Sequence, residues 1–181
     1  NGAAVLTFFN GPPRRVAGAG AFDASRAIAL TTADQSPWIS NFVHGLVGSD
    51  IAIKYLRDDA ASGERTWLLK RGSEAREDLP ATGRTEIHPC VEEFFLLEGS
   101  LGWPQGMMRP GAYFWRPPGI EHGPGASLTG YIGLFRSRDG PFVTEWSTTE
   151  PPRPFEPVYN PTLPSFLSQH AEKPYQGSDP Y

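Results

Sequence analysis

The sequence predicts an all-β protein whose antiparallel strands close into a barrel or fold as two packed sheets. Three observations predict it. Glycine and proline number 20 and 19 among 181 residues, a punctuation too frequent for long helices. No extended stretch places apolar residues at helical spacing. Short apolar runs instead alternate with turn signals, the pattern of a sandwich or barrel.

In chain order, the strand-like runs are 50–57 (DIAIKYLR), 65–71 (RTWLLKR), 85–90 (TEIHPC), 93–99 (EFFLLEG), 111–117 (GAYFWRP), 130–137 (GYIGLFRS) and 141–146 (PFVTEW). The segments between them (DDAASGE, LPATG, WPQG, PPG, GPGAS and RDG) are rich in the residues that turns favour. Helix is expected only as two turns over 165–172 (SFLSQHAE), with Ser165 as N-cap.

The two ends read differently. AVLTFFNGPPRRV near the start echoes YIGLFRSRDGPFV near residue 140: an apolar strand, a polar turn, Gly-Pro, then a resumption. Residues 1–16 are then either the last hairpin of a preceding, similar domain or a chance likeness between two hairpins. A chain that begins at Asn1 rather than methionine is expected to be a fragment or a processed product. Residues 148–181 carry eight prolines, so this arm is expected to drape over the barrel or a partner subunit instead of joining a ladder. The resulting division is 1–49 as an extension, 50–147 as the barrel and 148–181 as the arm.

Composition excludes several functions. A formal net charge of −4 with no Lys/Arg cluster argues against nucleic acid. No apolar run approaches a membrane span, and no charged-then-apolar leader is present. One cysteine excludes an intrachain disulfide and favours a reducing compartment, so the expected location is cytoplasmic. Phe155, Tyr159 and Phe166 are more aromatic surface than a lone arm covers, and a homodimer is expected.

The chemistry concentrates in TEIHPCVEEFFLLEG (85–99). Polar side chains set against an apolar strand raise the free energy unless a metal, a proton or water compensates them. Side chains alternate along a strand, so Arg84, Glu86, His88 and Cys90 share one face, with Glu86 and His88 about 7 Å apart. Pro89 bends the chain toward Glu92, which keeps that parity. Farther on, Pro117-Pro118-Gly119 turns the backbone before His122.

These two segments resemble the paired motifs of the cupin superfamily, double-stranded β-helix jelly rolls. The second motif, G-x5-P-x-G-x2-H, is matched from Gly111 through Pro117 and Gly119 to His122, although its trailing Asn position holds Ala126. The first motif ends E-x6-G, matched by Glu92 and Gly99. Counting back, the family's second histidine falls on His88; its first falls on Glu86, and the leading glycine position holds Pro80. The likeness covers roughly 50–147, with a flavour closest to the sensor cupins of ChrR-type anti-sigma factors.

The resemblance implies one divalent metal held by Glu86, His88, Glu92 and His122. Two imidazoles and two carboxylates suit Fe(II) first, with Zn, Mn, Ni or Cu as alternatives, and the lack of thiolate argues against a structural zinc site. Cys90 is expected beside the metal but unbound, and Glu93 as an outer neighbour of Glu92. Tyr113, Trp115, Trp103, Phe94 and Met107 are expected to line a mostly apolar cavity, each taken alone reading as plain core sooner than as a substrate contact. His44 and His170 lie outside both motifs and read as surface residues. The implied activity is metal-dependent oxidation or C–C cleavage of a small organic substrate by O2, with Glu92 or Glu86 doubling as base. A non-redox lyase, isomerase or cyclase and a non-catalytic ligand- or metal-sensing module remain open.

Overall fold

In a computed structural model, residues 33–40, 50–74 and 80–160 are described, and among them there is no helix. Ten strands follow one another: β1 (Ile39–Ser40), β2 (Ile51–Asp58), β3 (Arg65–Arg71), β4 (Glu86–Ile87), β5 (Val91–Gly99), β6 (Leu101–Trp103), β7 (Gly106–Met108), β8 (Tyr113–Arg116), β9 (Tyr131–Arg138) and β10 (Glu145–Trp146). Every pairing between them is antiparallel. Six strands make one sheet in the order β1-β2-β3-β9-β5-β8. Facing it are short ladders, β10 with β4 and β6 with β7, joined by the isolated bridges Glu86–His122 and Gly102–Ala126.

The registers set which side chains face inward. Glu92, Phe94 and Leu96 on β5 stand opposite Ser137, Phe135 and Gly133 on β9, and on β3 the buried Trp67 and Leu69 share their parity with Arg71. The core holds Phe94, Leu96, Trp67, Phe135, Leu101 and Trp103. Gly133 is required by close approach, since a Cβ there would lie 1.9 Å from the Phe94 ring. Aromatic contacts knit this interior: Trp67 stacks on Phe135 at 5.3 Å and meets Phe142 edge-on at 4.9 Å.

Two expectations about the wall need correcting. Tyr113 and Trp115 are 47% and 49% exposed and face away from the cavity. On β8 it is Phe114 and Arg116 that stand opposite the inward Phe94 and Glu92. Four large residues in succession (Tyr113 to Arg116) give no polar–apolar alternation, so the sequence carries no parity signal there. Of the other three, Trp103 lines the cavity, Phe94 is fully buried core, and Met107 lies on the short β7.

Residues 148–160 run over their own barrel. The arm backbone bonds to residues 81–83 (Arg153 N–H to Ala81 O at 2.8 Å, Gly83 N–H to Pro151 O at 3.1 Å), while Met107 N–H reaches Val158 O at 3.2 Å. Tyr159 is covered by the Arg109 guanidinium, 4.2 Å from its ring. The hairpin expected over 1–16, the helix over 165–172, His44, Phe166 and His170 lie outside the described residues.

Candidate metal centre

Backbone hydrogen bonds place the three central side chains. Glu86 and His122 exchange both backbone bonds, Glu86 N–H to His122 O at 2.8 Å and His122 N–H to Glu86 O at 3.0 Å. Gly119 N–H donates to His88 O at 2.8 Å. Gly119 has φ +78°, a left-handed conformation that glycine adopts without a Cβ clash, so the Pro117–Gly119 turn delivers His122 beside β4, which carries Glu86 and leads into His88.

Ring orientation is then fixed from outside. His88 Nδ1 lies 2.9 Å from Val143 O, and His122 Nδ1 lies 2.9 Å from Ile120 O. A carbonyl only accepts, so each Nδ1 carries the proton and each Nε2 of the neutral ring presents a lone pair. Both Nε2 atoms are buried without a hydrogen-bond partner. Around them stand more acceptors: Glu86 Oε2 is 3.9 Å from His88 Nε2, Glu86 Oε1 is 3.7 Å from His122 Nε2, and Glu92 Oε2 is 3.4 Å from His122 Nε2.

Two unpartnered ring nitrogens turned toward carboxylate oxygens form an acceptor cluster that a cation would satisfy. Ring nitrogens anchored through Nδ1 to carbonyls are the usual second contact of metal-bound histidine. The residues present therefore fit a divalent ion. Glu86, His88 and His122 are the group, among the described residues, whose ligand atoms all lie within 4.8 Å of one another. Glu92 lies outside that group. Its Oε2 accepts from Arg116 Nη1 at 2.9 Å, and Arg116 in turn lies over the Phe114 and Trp103 rings, 3.7 and 4.3 Å from their centroids. The sequence did not single out Arg116, because its place opposite Glu92 follows from the register between β5 and β8.

Glu93 sits on the outer face but is buried, accepting from Arg136 at 3.0 Å and from Tyr113 Oη at 3.0 Å. Cys90 is fully buried and does not line the cavity. Burial, then the Glu92 charge, pushes its thiol up to about 11, so it stays protonated and is a poor ligand.

Burial also tunes the centre. It raises the Glu86 carboxyl to about 7, helped by the negative charge of Glu92. It lowers His122 to about 4, helped by the positive charge of Arg116. Between about pH 4.5 and 7 the folded chain holds the Glu86 proton more tightly than the unfolded chain does, so this group's contribution to stability falls as pH rises. His122 acts oppositely between about 4 and 6.5: the unfolded chain binds more protons, and stability rises with pH. The two slopes oppose each other in the shared window, leaving Glu86 to lower the metal-free protein's stability near pH 7. Metal uptake is accordingly expected to release about one proton near pH 6, from Glu86, and almost none above about pH 8. Calorimetry in buffers of different ionisation enthalpy measures this directly, and equal release at both pH values would contradict it.

Beside the centre lies a cavity of about 580 Å³, walled by Trp67, Trp103, Tyr131, Phe135 and Phe142 and reached by Glu86 and Glu92.

No protein-family profile matches the sequence, and no curated protein matches it. Solved structures share its architecture. An RmlC-like cupin of Ralstonia eutropha JMP134 superposes with a TM-score of 0.52 at 15% identity, over 67% of this chain and 81% of that one. The fold is that of the cupins. An inferred acetylacetone dioxygenase of Methylibium petroleiphilum PM1 gives 0.53 at 13% identity, over 70% and 93% of the two chains. The polyketide cyclase RemF of Streptomyces resistomycificus gives 0.51 at 16%, over 68% and 87%. At these identities the cupin likeness establishes a fold and no particular reaction.

Proposed function

We propose that this cupin is a metal-dependent enzyme that oxidises or cleaves a small organic substrate with O2. The observation that carries the reading is the ring of acceptors, two buried, lone-paired Nε2 atoms and the half-buried Glu86 carboxylate, beside an aromatic-walled cavity. Two histidines and one carboxylate are the ligand set of non-haem Fe(II) oxygenases, with Zn, Mn, Ni and Cu as less favoured occupants. Glu86, His88 and His122 would hold the ion, and Glu92 would join as a fourth donor when it leaves Arg116. When bound, Fe(II) supplies Lewis acidity and redox equivalents toward O2.

The chain's own residues supply the rest. The carbonyls of Val143 and Ile120 hold the imidazoles as Nδ1–H tautomers. Trp67, Phe135 and Phe142 exclude water from the substrate body. Arg116 donates to the Glu92 carboxylate and holds it beside His122, where it can accept a substrate proton. The names of two fold relatives, an inferred dioxygenase and a cyclase, are consistent with small-molecule chemistry in such a barrel. Glu86, raised to about 7, also favours a second reading: proton transfer without redox, as in a lyase, isomerase or cyclase.

Oxygen-electrode traces of Fe(II)-loaded protein with β-dicarbonyl and enol substrates test the first reading; substrate-dependent O2 uptake is expected. Turnover by the Zn-loaded form with no O2 uptake would replace it by the second. We further propose a cytoplasmic homodimer, supported by the outward Tyr113 and Trp115 on the edge strand β8. Light scattering at micromolar concentration should return twice the 19.8 kDa chain mass; a monomer would refute it. Among the described residues no helix is long and apolar enough to cross a membrane.

A further inference from the structure

The cavity holds a second charged cluster that the metal centre does not use. Arg71 Nη2 and Arg153 Nη1 both donate to one oxygen, Glu74 Oε1, at 2.5 and 2.6 Å. The other Glu74 oxygen accepts from Ser127 N–H at 2.9 Å, and Arg153 Nε donates to Thr82 O at 3.0 Å. All three side chains are at most 10% exposed. Both arginines lie on the cavity wall, whereas Glu74 does not, so the carboxylate stands behind and the guanidinium groups stand in front.

Two positive charges share one negative charge, leaving an excess of one where burial makes an uncompensated ion costly. Two other charged residues on the wall are already paired, Glu92 with Arg116 and Arg65 with Asp58. Glu86 is near enough for the Arg71 charge to act on its carboxyl, but on the reading above it is engaged by the metal. The loaded cavity then carries a surplus of positive charge and no carboxylate to meet it. Arg84 and Glu150, also on the wall, are exposed and act through solvent.

The cluster has its own place in the barrel. Arg71 pairs in register with Tyr131, while Glu92 pairs with Ser137 at the other end of β9. Between those ends the wall is aromatic, with Trp67 stacked on Phe135 and crossed by Phe142. Guanidinium groups fixed by a shared carboxylate present their remaining N–H groups in a rigid fork suited to carboxylate oxygens.

We propose that Arg71 and Arg153 form an anion subsite, so that the substrate class of this cavity is an organic acid with an apolar or aromatic body. The acidic group meets the two guanidinium groups, the body lies on Trp67, Phe135 and Phe142, and the opposite end faces Glu86, His88 and His122. The proposal deepens the enzymatic reading and rests on it for the word substrate; the subsite itself needs no metal.

The test compares 2-naphthoate with its neutral analogue 2-naphthamide by isothermal titration calorimetry, using the full chain both metal-free and Zn-loaded. The acid should bind at least about tenfold more tightly than the amide in both forms, the margin being wider with Zn. Arg153→Gln and Arg71→Gln each leave a neutral Arg–Glu74 pair, so neither strands a buried charge; in each the preference should collapse toward equality. Arg153→Lys keeps the charge and should retain part of the preference, a readout that a purely structural role would not produce. Equal binding of acid and amide by the native protein overturns the proposal, as does an unchanged preference in the two Gln variants. Metal content measured on the same samples separates the two readings. A metal-free protein that prefers the acid yet never binds metal would remove the metal centre and leave the subsite standing.

Discussion

Replacing His122 by alanine is expected to strip the protein of its divalent metal. The residue is placed by both of its backbone bonds to Glu86, its ring is held by Ile120 O, and its Nε2 faces Glu86 and Glu92 oxygens at 3.7 and 3.4 Å. Without it, one imidazole and two carboxylates remain, a harder and poorer chelate for Fe(II) or Zn(II). The loss of affinity should exceed the roughly 10–100-fold typical of changes outside the ligand set. His88→Ala should behave alike. Glu86→Gln should weaken binding less, since an amide oxygen or water substitutes for a carboxylate more readily than for an imidazole. Elemental analysis after dialysis reads the result. Stoichiometric metal in the double variant His88→Ala/His122→Ala would end the assignment, and a metal held through Cys90 would place the ligand register two residues off.

The reach of the sequence is explained by which signals are local. The strands 51–58, 65–71, 91–99 and 131–138 are long, apolar and bounded by Gly, Pro or Asp turns, and each was legible to within about two residues. The hairpin of Leu101–Trp103 with Gly106–Met108 was not, because three-residue arms around Pro104-Gln105 are too short to show alternation. Glu86 and His88 were legible as partners because residues two apart in an extended chain share a face. His122 was legible through the rigid turn before it. The ion pairs around the cavity were hidden. Arg153 and Glu74 lie 79 residues apart, Arg116 and Glu92 lie 24 apart, and neither pair carries a mark in one dimension. Long-range charge pairing is settled by register, and register is what the sequence specifies least at Tyr113–Arg116, where both faces bear large side chains.

That hidden pair yields the second large effect. Arg116→Leu is expected to destabilise the metal-free protein by about 3–5 kcal/mol, the usual consequence of removing one partner from a buried ion pair. The Glu92 side chain is 4% exposed and that of Arg116 13%, so the orphaned carboxylate has little contact with bulk solvent. His122 Nε2 lies 3.4 Å away, and burial, the largest cause of that ring's lowered pKa, persists without Arg116, so the ring offers little counter-charge at neutral pH. At about 2–4 °C per kcal/mol for a chain of this size, the melting temperature should fall by roughly 6–20 °C. Two comparisons make the outcome specific. Glu92→Leu/Arg116→Leu removes both charges and should recover most of the loss, because well-packed apolar replacements of a buried pair are often close to neutral. A divalent ion should also narrow the gap between Arg116→Leu and the native protein, because the freed Glu92 carboxylate gains the cation that Arg116 no longer provides. Thermal melts of the three proteins with and without Zn(II) contain all of these terms. A single-variant cost under about 1 kcal/mol would mean that Glu92 is solvated, and a gap that Zn(II) leaves unchanged would remove Glu92 from the proposed ligand set.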